Sequence, residues 1–317
     1  KPDGFKGSFF RPNLIITAQK KGAGRNTRND ILAIVRQHAG ESGIVYCMSR
    51  KGVESTAEWL RSRGISAAAY HAGLPDPERA RTQDAFARDE VDVVVATVAF
   101  GMGIDKSNVR CGIHRDMPKS VEAWYQEIGR AGRDGLPSDC VLMYSWADVI
   151  GFDAFLRGID DEAVRAETRG KTIEMFRLVD GGKCRHQEIA KYLDETISPC
   201  GDCCDVCRGS GIESLVTDVV PARRVRARVA SGAGAALPGG ADAPALNPEL
   251  FERLRALRKK IADAEGVPAY IVFSDAVLRH MSAAVPKSPS GLLGLSGVGP
   301  VKLERYGGPF LKLLSEH

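Results

Sequence analysis

Between residues 13 and 144, short apolar runs alternate with segments whose apolar positions recur every three or four residues. The runs at 13–17, 43–47, 67–71, 91–96, 112–116 and 140–144 have strand character, and 29–38, 53–62, 77–88 and 121–131 carry the helical period. Strands and helices alternating at this spacing predict crossover connections, hence a parallel sheet with helices on both faces. The run Asp92-Val-Val-Val-Ala96 has no polar alternation, as expected of a strand covered on both sides. From 149 to 208 the pattern becomes helical and ends in a cluster of cysteines. Residues 209–245 include a small-residue, low-complexity stretch from Ala230 that has linker composition. The helical period returns at Asn247, with Leu250, Leu254, Leu257 and Ile261 on one stripe. The predicted organisation is an α/β lobe (1–148), a small helical module (149–208), a linker (209–245) and an all-α bundle (246–317).

Composition narrows this only slightly. Of 317 residues, 44% are hydrophobic and 26% charged, with a net charge of +4, the values of an ordinary soluble globular protein that permit a polyanion partner without requiring one. No apolar run reaches the roughly 18 residues that a membrane-spanning helix needs, and the start, Lys-Pro-Asp-Gly-Phe, has no signal-peptide pattern. A membrane partner is therefore not expected. The missing initial methionine suggests a piece of a longer chain. Four of the eight cysteines fall between Cys200 and Cys207, which favours metal binding over disulfides.

The segment Gln126-Glu-Ile-Gly-Arg-Ala-Gly-Arg-Asp-Gly135 carries the sharpest chemical signal. On a continuous helix Gln126, Arg130 and Arg133 would project from one face. Each glycine weakens a helix by about 1 kcal/mol relative to alanine, which is tolerated where backbone must approach something closely. Two guanidiniums beside such a surface suit a nucleotide triphosphate, because arginine stays protonated and its donor fork matches phosphate oxygens. Taken alone, Arg-x-x-Arg more often marks a solvated basic helix end; the glycines and glutamine at fixed offsets shift that balance.

This segment resembles motif VI of superfamily-2 helicases in its RecQ form. Ala96-Thr-Val-Ala-Phe-Gly-Met-Gly-Ile-Asp-Lys106 resembles motif V, and Ile44-Val-Tyr-Cys-Met-Ser-Arg50 and Ala69-Tyr-His-Ala-Gly-Leu74 resemble the preceding motifs in the same order. The resemblance implies a second RecA-like lobe of an ATP-dependent 3′-to-5′ DNA helicase that unwinds DNA in recombination and repair, in the bacterial cytoplasm or nucleoid. It implies catalytic roles for Arg133 as arginine finger, with Arg130 and Gln126 beside it, and nucleotide contacts from Gly103, Asp105, Arg130 and Arg133. Such a finger is worth roughly 10³–10⁵ in rate. Ser49, Arg50, His71 and Thr97, at the ends of strands, would hold DNA phosphates, although His71 reads equally well as a packed strand-end histidine.

No Gly-x-x-x-x-Gly-Lys-Ser/Thr occurs in the chain, and Asp89-Glu-Val-Asp92 precedes a strand rather than following one, so it reads as a solvated turn and not as a magnesium site. The lobe that binds ATP and Mg²⁺ is expected upstream, and the 317 residues alone should not hydrolyse ATP.

Cys184, Cys200, Cys203, Cys204 and Cys207 supply five thiols for a four-coordinate ion. Their order resembles the RecQ zinc module, with one extra residue in the cluster. Aligning the end of the cluster gives Cys184, Cys200, Cys204 and Cys207 as structural Zn²⁺ ligands, with Cys203 as a competing ligand; an iron–sulfur cluster uses thiolates too. Cys47, Cys111 and Cys140 read as core residues. The stretch from 247 onward resembles an HRDC domain, implying DNA contacts from Lys259, Lys260 and Lys302, the last beside a glycine-rich turn at Leu295–Leu303. Too few residues separate the two for the winged helix that many RecQ proteins carry, and Arg223, Arg224, Arg226 and Arg228 in that interval form a basic clump. Single-stranded and forked or branched DNA are the implied partners. A rival reading is a non-catalytic DNA-binding or docking module that retains these domains; a P-loop encoded upstream would separate the two.

Overall fold

The computed structural model describes residues 7–22, 24–97, 100, 106–158, 160–216 and 247–317. The chain divides into two compact units, 1–217 and 218–317.

In the first unit the elements run β1 (Leu14–Lys20), α1 (Thr27–Gln37), β2 (Ser42–Tyr46), α2 (Arg50–Arg61), β3 (Ala67–Tyr70), α3 (Asp76–Ala87), β4 (Val93–Ala96), β5 (Val109–His114), α4 (Val121–Ile128) and β6 (Ser138–Tyr144). The strands form one six-stranded RecA-like sheet in the order β1-β6-β5-β2-β4-β3, parallel throughout. Successive side chains of these strands alternate between two apolar layers. Ile16, Ile44, Tyr46, Val94 and Leu142 face Trp124 and Ile128 of α4, whereas Val45, Val93, Val95, Ile113 and Val141 face Ile31 and Ile34 of α1 and Val53 and Leu60 of α2. Burial on both faces explains the unbroken apolar runs. Cys111 and Cys140 lie fully inside these layers, where burial pushes their thiols well above the usual range, and the Cys47 thiol is raised to about 11 for the same reason.

The helical module follows as α5 (Trp146–Leu156), α6 (Glu162–Asp180), α7 (Arg185–Tyr192), α8 (Asp205–Arg208) and α9 (Glu213–Val216). It packs on the lobe within the same compact unit. Part of the stretch expected to be linker is structured: Ile212 and Leu215 are buried in the layer formed by α1, because two apolar side chains there find a face to cover. The basic clump at 223–228 lies outside the described residues.

The second unit contains α10 (Pro248–Glu265), α11 (Ala269–Val272), α12 (Asp275–Ala284), α13 (Pro289–Leu293) and α14 (Pro300–Ser315) around Leu250, Leu254, Phe273, Leu278 and Phe310. Arg258 is 1% exposed and occupies the buried stripe with Leu250, Leu254 and Ala262, its charge met by Asp275 at 2.6 Å and by the carbonyl of Phe273 at 2.9 Å. Among the described residues, no helix is long and apolar enough to cross a membrane.

Candidate active site and metal centre

The arginine segment departs from the continuous helix expected over 121–131. Helix α4 ends at Ile128, and Gln126 is exposed on its last turn. Residues 129–135 then form successive tight turns, with Arg130 N–H donating to Glu127 O, Ala131 N–H to Ile128 O, and Gly132 N–H leaving the helix to reach Val109 O at 2.9 Å. Gly132 takes a left-handed φ of +55°, and a Cβ there would sit 2.5 Å from Asn13 Nδ2 and 2.8 Å from both Leu136 O and Ser138 Oγ. Only glycine combines that backbone with that space. The close approach anticipated from the glycines is therefore made to the protein's own backbone and side chains.

The turn is anchored from several directions. Arg11 donates Nη1 to Gly129 O (3.4 Å) and Nη2 to Ala131 O (3.1 Å) and Gly132 O (2.7 Å), while Asn13 Nδ2 donates to Gly132 O and Leu136 O. Asp134 is buried in an ion pair with Arg110, whose Nη1 also donates to Ser138 Oγ at 3.1 Å. At the helical end, Glu127 meets His114 Nε2 at 2.8 Å, and the His114 ring stacks on Tyr46 at 4.7 Å. Burial pushes the Tyr46 phenol well up and the Glu127 carboxylate adds to this, while Arg130 and Arg133 oppose it, so both guanidiniums lie within electrostatic reach of the end of β2. Arg130 is half-buried and Arg133 exposed. Arg11, Asn13 and Arg110 were not singled out in the sequence; their partners are distant along the chain and no local pattern marks them.

At the ends of β2 and β3, Ser49 caps α2 by accepting the Gly52 N–H at 3.1 Å, and Arg50 begins that helix. Arg50 Nη1 lies 3.0 Å from where a Cβ of Gly73 would stand, so the two motif-bearing loops meet. His71 is buried: Nδ1 accepts from Gly73 N–H at 3.2 Å and Nε2 faces Glu54 at 3.1 Å, which makes it an organiser of its loop. Thr97, half-buried just past β4, donates its N–H to Tyr70 O at 3.3 Å. Gly103 and Asp105 lie outside the described residues. Lys106, at the end of the same motif, is buried against Asp89 and 5.1 Å from the Phe86 ring. Asp89 is therefore a half-buried counter-ion to Lys106 rather than a fully solvated turn residue.

The sulfurs of Cys184, Cys200, Cys204 and Cys207 all lie within 4.8 Å of one another. Tetrahedral zinc with bonds of about 2.3 Å would set sulfurs about 3.8 Å apart, so the donor set fits a closed four-thiolate site. Backbone N–H groups already point at two of the sulfurs, from Cys200 to Cys184 Sγ (3.3 Å) and from Cys207 to Cys204 Sγ (3.4 Å). Cys203 is outside this group; its Sγ lies 3.6 Å from Asp202 and its carbonyl accepts the Ile16 N–H of β1 at 2.9 Å.

In the second unit Lys259 and Lys260 are exposed on α10. Lys302 is half-buried, with Nζ 6.0 Å from the Phe273 ring, and burial lowers its proton affinity.

Comparison with known proteins agrees with this layout. Family models match in three places: the helicase conserved C-terminal domain at 26–135, the RecQ zinc-binding domain at 146–208 and the HRDC domain at 247–314. The ATP-dependent DNA helicase RecQ of Haemophilus influenzae is 34% identical over 98% of this chain and 65% of its own length. The proteins of that name from Pasteurella multocida and Bacillus subtilis are 32% and 31% identical over 100% and 96% of the chain, and 64% of their own lengths in each case. The chain thus spans just under two thirds of these curated relatives. The Haemophilus alignment, at 404 positions, is longer than the 317-residue chain, so the relative holds residues between the matched ends for which this chain has no counterpart.

Proposed function

Because the chain belongs to the RecQ helicase family, we propose that it supplies the second motor lobe, zinc module and HRDC domain of an ATP-dependent 3′-to-5′ DNA helicase acting in the bacterial cytoplasm or nucleoid. The observation that carries this reading is the turn at 129–135, locked by Arg11, Asn13 and the buried Arg110–Asp134 pair so that Arg130 and Arg133 stand on a fixed backbone. Preorganised positive charge of this kind stabilises the charge that develops on a transferring phosphoryl group without reorganisation at the moment of reaction. Arg133 acts as the finger, Arg130 and Gln126 line the same cleft, and Gly103 and Asp105 contact the nucleotide. ATP and Mg²⁺ are held mainly by a P-loop lobe that faces this one.

Ser49, Arg50 and Thr97 hold phosphates of the tracked strand, which positions DNA without reading its sequence; His71 contributes by holding its loop in shape. Single-stranded and forked DNA are the proposed partners, with Lys259 and Lys260 giving the HRDC domain a secondary contact and Lys302 a weaker one. Zn²⁺ bound by Cys184, Cys200, Cys204 and Cys207 would contribute folding free energy to the module. The winged helix is proposed to be missing from the interval after the cysteines, in keeping with the longer alignment of the relatives.

The test is Arg133→Ala in the enzyme that includes a P-loop lobe. ATP turnover should be lost while DNA binding is retained; undiminished turnover would refute the assignment.

A further inference from the structure

Residues 8–13, ahead of β1, form a strap between the cysteine module and the arginine turn. At the module end, Phe9 N–H donates to Glu195 Oε2 at 2.6 Å, Ser8 Oγ donates to Glu195 Oε1, and the Phe10 ring meets His186 edge-on at 5.1 Å. At the other end, Tyr125 on α4 donates its hydroxyl to Phe9 O at 3.1 Å and packs edge-on against the Phe9 ring. Between these contacts Arg11 spans the carbonyls of Gly129, Ala131 and Gly132, and its Nε donates to Asn13 Oδ1 at 3.3 Å.

We infer that Arg11 is a positioning residue for ATP turnover, fixing the backbone from which Arg130 and Arg133 project. This rests on the reading of Arg133 as the finger. Three carbonyls receive this guanidinium. They follow the C-terminal end of α4, where a helix carries partial negative charge, and Gly132 O also accepts from Gly135 N–H at 3.0 Å and from Asn13 Nδ2 at 2.8 Å. Side-chain caps are one common way to satisfy them, and glycine turns alone leave the backbone many alternatives. A planar guanidinium can donate to several oxygens at once from a rigid fork, whereas an ammonium presents a single centre on a flexible stem. Arg11 therefore selects one conformation of a glycine-rich turn. The strap that carries it is held at Glu195 and His186 of the cysteine module and at Tyr125 of α4, so the clamp ties the turn to both.

Two measurements test this. In the 317-residue chain, Arg11→Ala should speed hydrogen exchange at the amides of Arg130, Ala131 and Gly132 by about tenfold, with β5 and β6 amides unchanged, as for a local opening. In the enzyme joined to a P-loop lobe, the same change should lower kcat about 100-fold, the loss expected for a catalytic group misplaced by about 1 Å, with KM for ATP and affinity for single-stranded DNA unchanged. Arg11→Lys should restore the melting temperature but not kcat, and millimolar guanidinium ion should raise kcat of Arg11→Ala but not of the unaltered enzyme. Should Arg11→Ala not fold, Arg11→Lys carries the same comparisons. Unchanged exchange, unchanged kcat, or a kcat loss that merely follows the melting temperature through both variants overturns the inference. Undiminished turnover in Arg133→Ala would instead overturn the finger assignment, and the exchange measurement stands apart from that result.

Discussion

The backbone N–H of Ile16 on β1 donates to the carbonyl of Cys203 at 2.9 Å, so the cysteine module continues the hydrogen bonding of the sheet beyond its outermost strand. Ala18 N–H donates to Asp205 Oδ2 at 3.1 Å on the same edge, and Arg185 holds that carboxylate through a two-bonded pair at 2.9 and 3.0 Å. Removing the metal with a chelator should therefore do more than unfold α7 and α8. It should bare an apolar-flanked strand edge, and light scattering should rise as circular dichroism falls. Cys204→Ser should abolish stoichiometric zinc, measured by metal analysis, whereas Cys203→Ser should retain one ion per chain. Loss of zinc from Cys203→Ser would show that the extra thiol is a ligand.

Arg110 and Asp134 form an almost fully buried pair beneath the arginine turn. Arg110→Ala should cost about 3–5 kcal/mol in denaturant unfolding, because it strands a buried carboxylate. Adding Asp134→Asn should recover part of that loss. A cost below about 1 kcal/mol, the range of exposed pairs, would show that solvent reaches the site.

His38 lies between Asp139 (Nε2 to Oδ2, 2.9 Å) and Glu41 (Nδ1 to Oε2, 2.8 Å). Burial lowers its proton affinity, but the two carboxylates outweigh that and raise the pKa from 6.5 to about 9. The folded state thus holds the proton more tightly than the unfolded chain. The stabilisation is fully present below pH 6.5 and is lost as pH rises through about 9, a change of about 3 kcal/mol if the whole shift is expressed. Unfolding free energies across this interval should decline in the unaltered protein and be flatter in His38→Gln. Equal slopes would exclude the histidine as the source.

In the second unit, Arg258→Ala should destabilise the helical bundle by about 3 kcal/mol by removing the buried guanidinium that meets the Asp275 carboxylate, read as a lower melting temperature of that transition. Arg258→Met with Asp275→Asn should recover much of it. A variant of Arg258 that weakens DNA binding without loss of stability would instead place this side chain on the surface.

The parallel sheet was legible because burial on both faces leaves a period that a sequence shows directly: all six apolar runs became strands. The arginine segment was legible in composition but not in shape. Gly129 and Gly132 announce a close backbone approach, yet that Gly132 turns left-handed against Asn13 and Ser138 depends on residues more than a hundred positions upstream or on the next strand. The burial of Arg258 is not legible for a related reason. A helical pattern counts arginine as polar, and only its meeting with Asp275 in space makes burial tolerable. Ile212 and Leu215 were lost in a polar stretch because two apolar residues make no period. The cysteine spacing leaves Cys203 in competition with its neighbours; in space the other four sulfurs gather within 4.8 Å while the Cys203 carbonyl serves the sheet.

The pairing of β1 with β6, Leu14 opposite Ser138 along to Lys20 opposite Tyr144, has a consequence for how the lobe is assembled. β1, made before the other five strands of this sheet, has its hydrogen-bonding partner at the far end of the lobe, and its other edge is covered only when Cys203 to Asp205 arrive. Such distant closures come late, because the entropy of joining far-apart segments is lost before their contacts reward it. In pulse-labelled refolding, the amides of Ile16 and Ala18 should be among the last to gain protection, and until then the nascent lobe carries an open strand that a chaperone, or another copy of the chain, can engage.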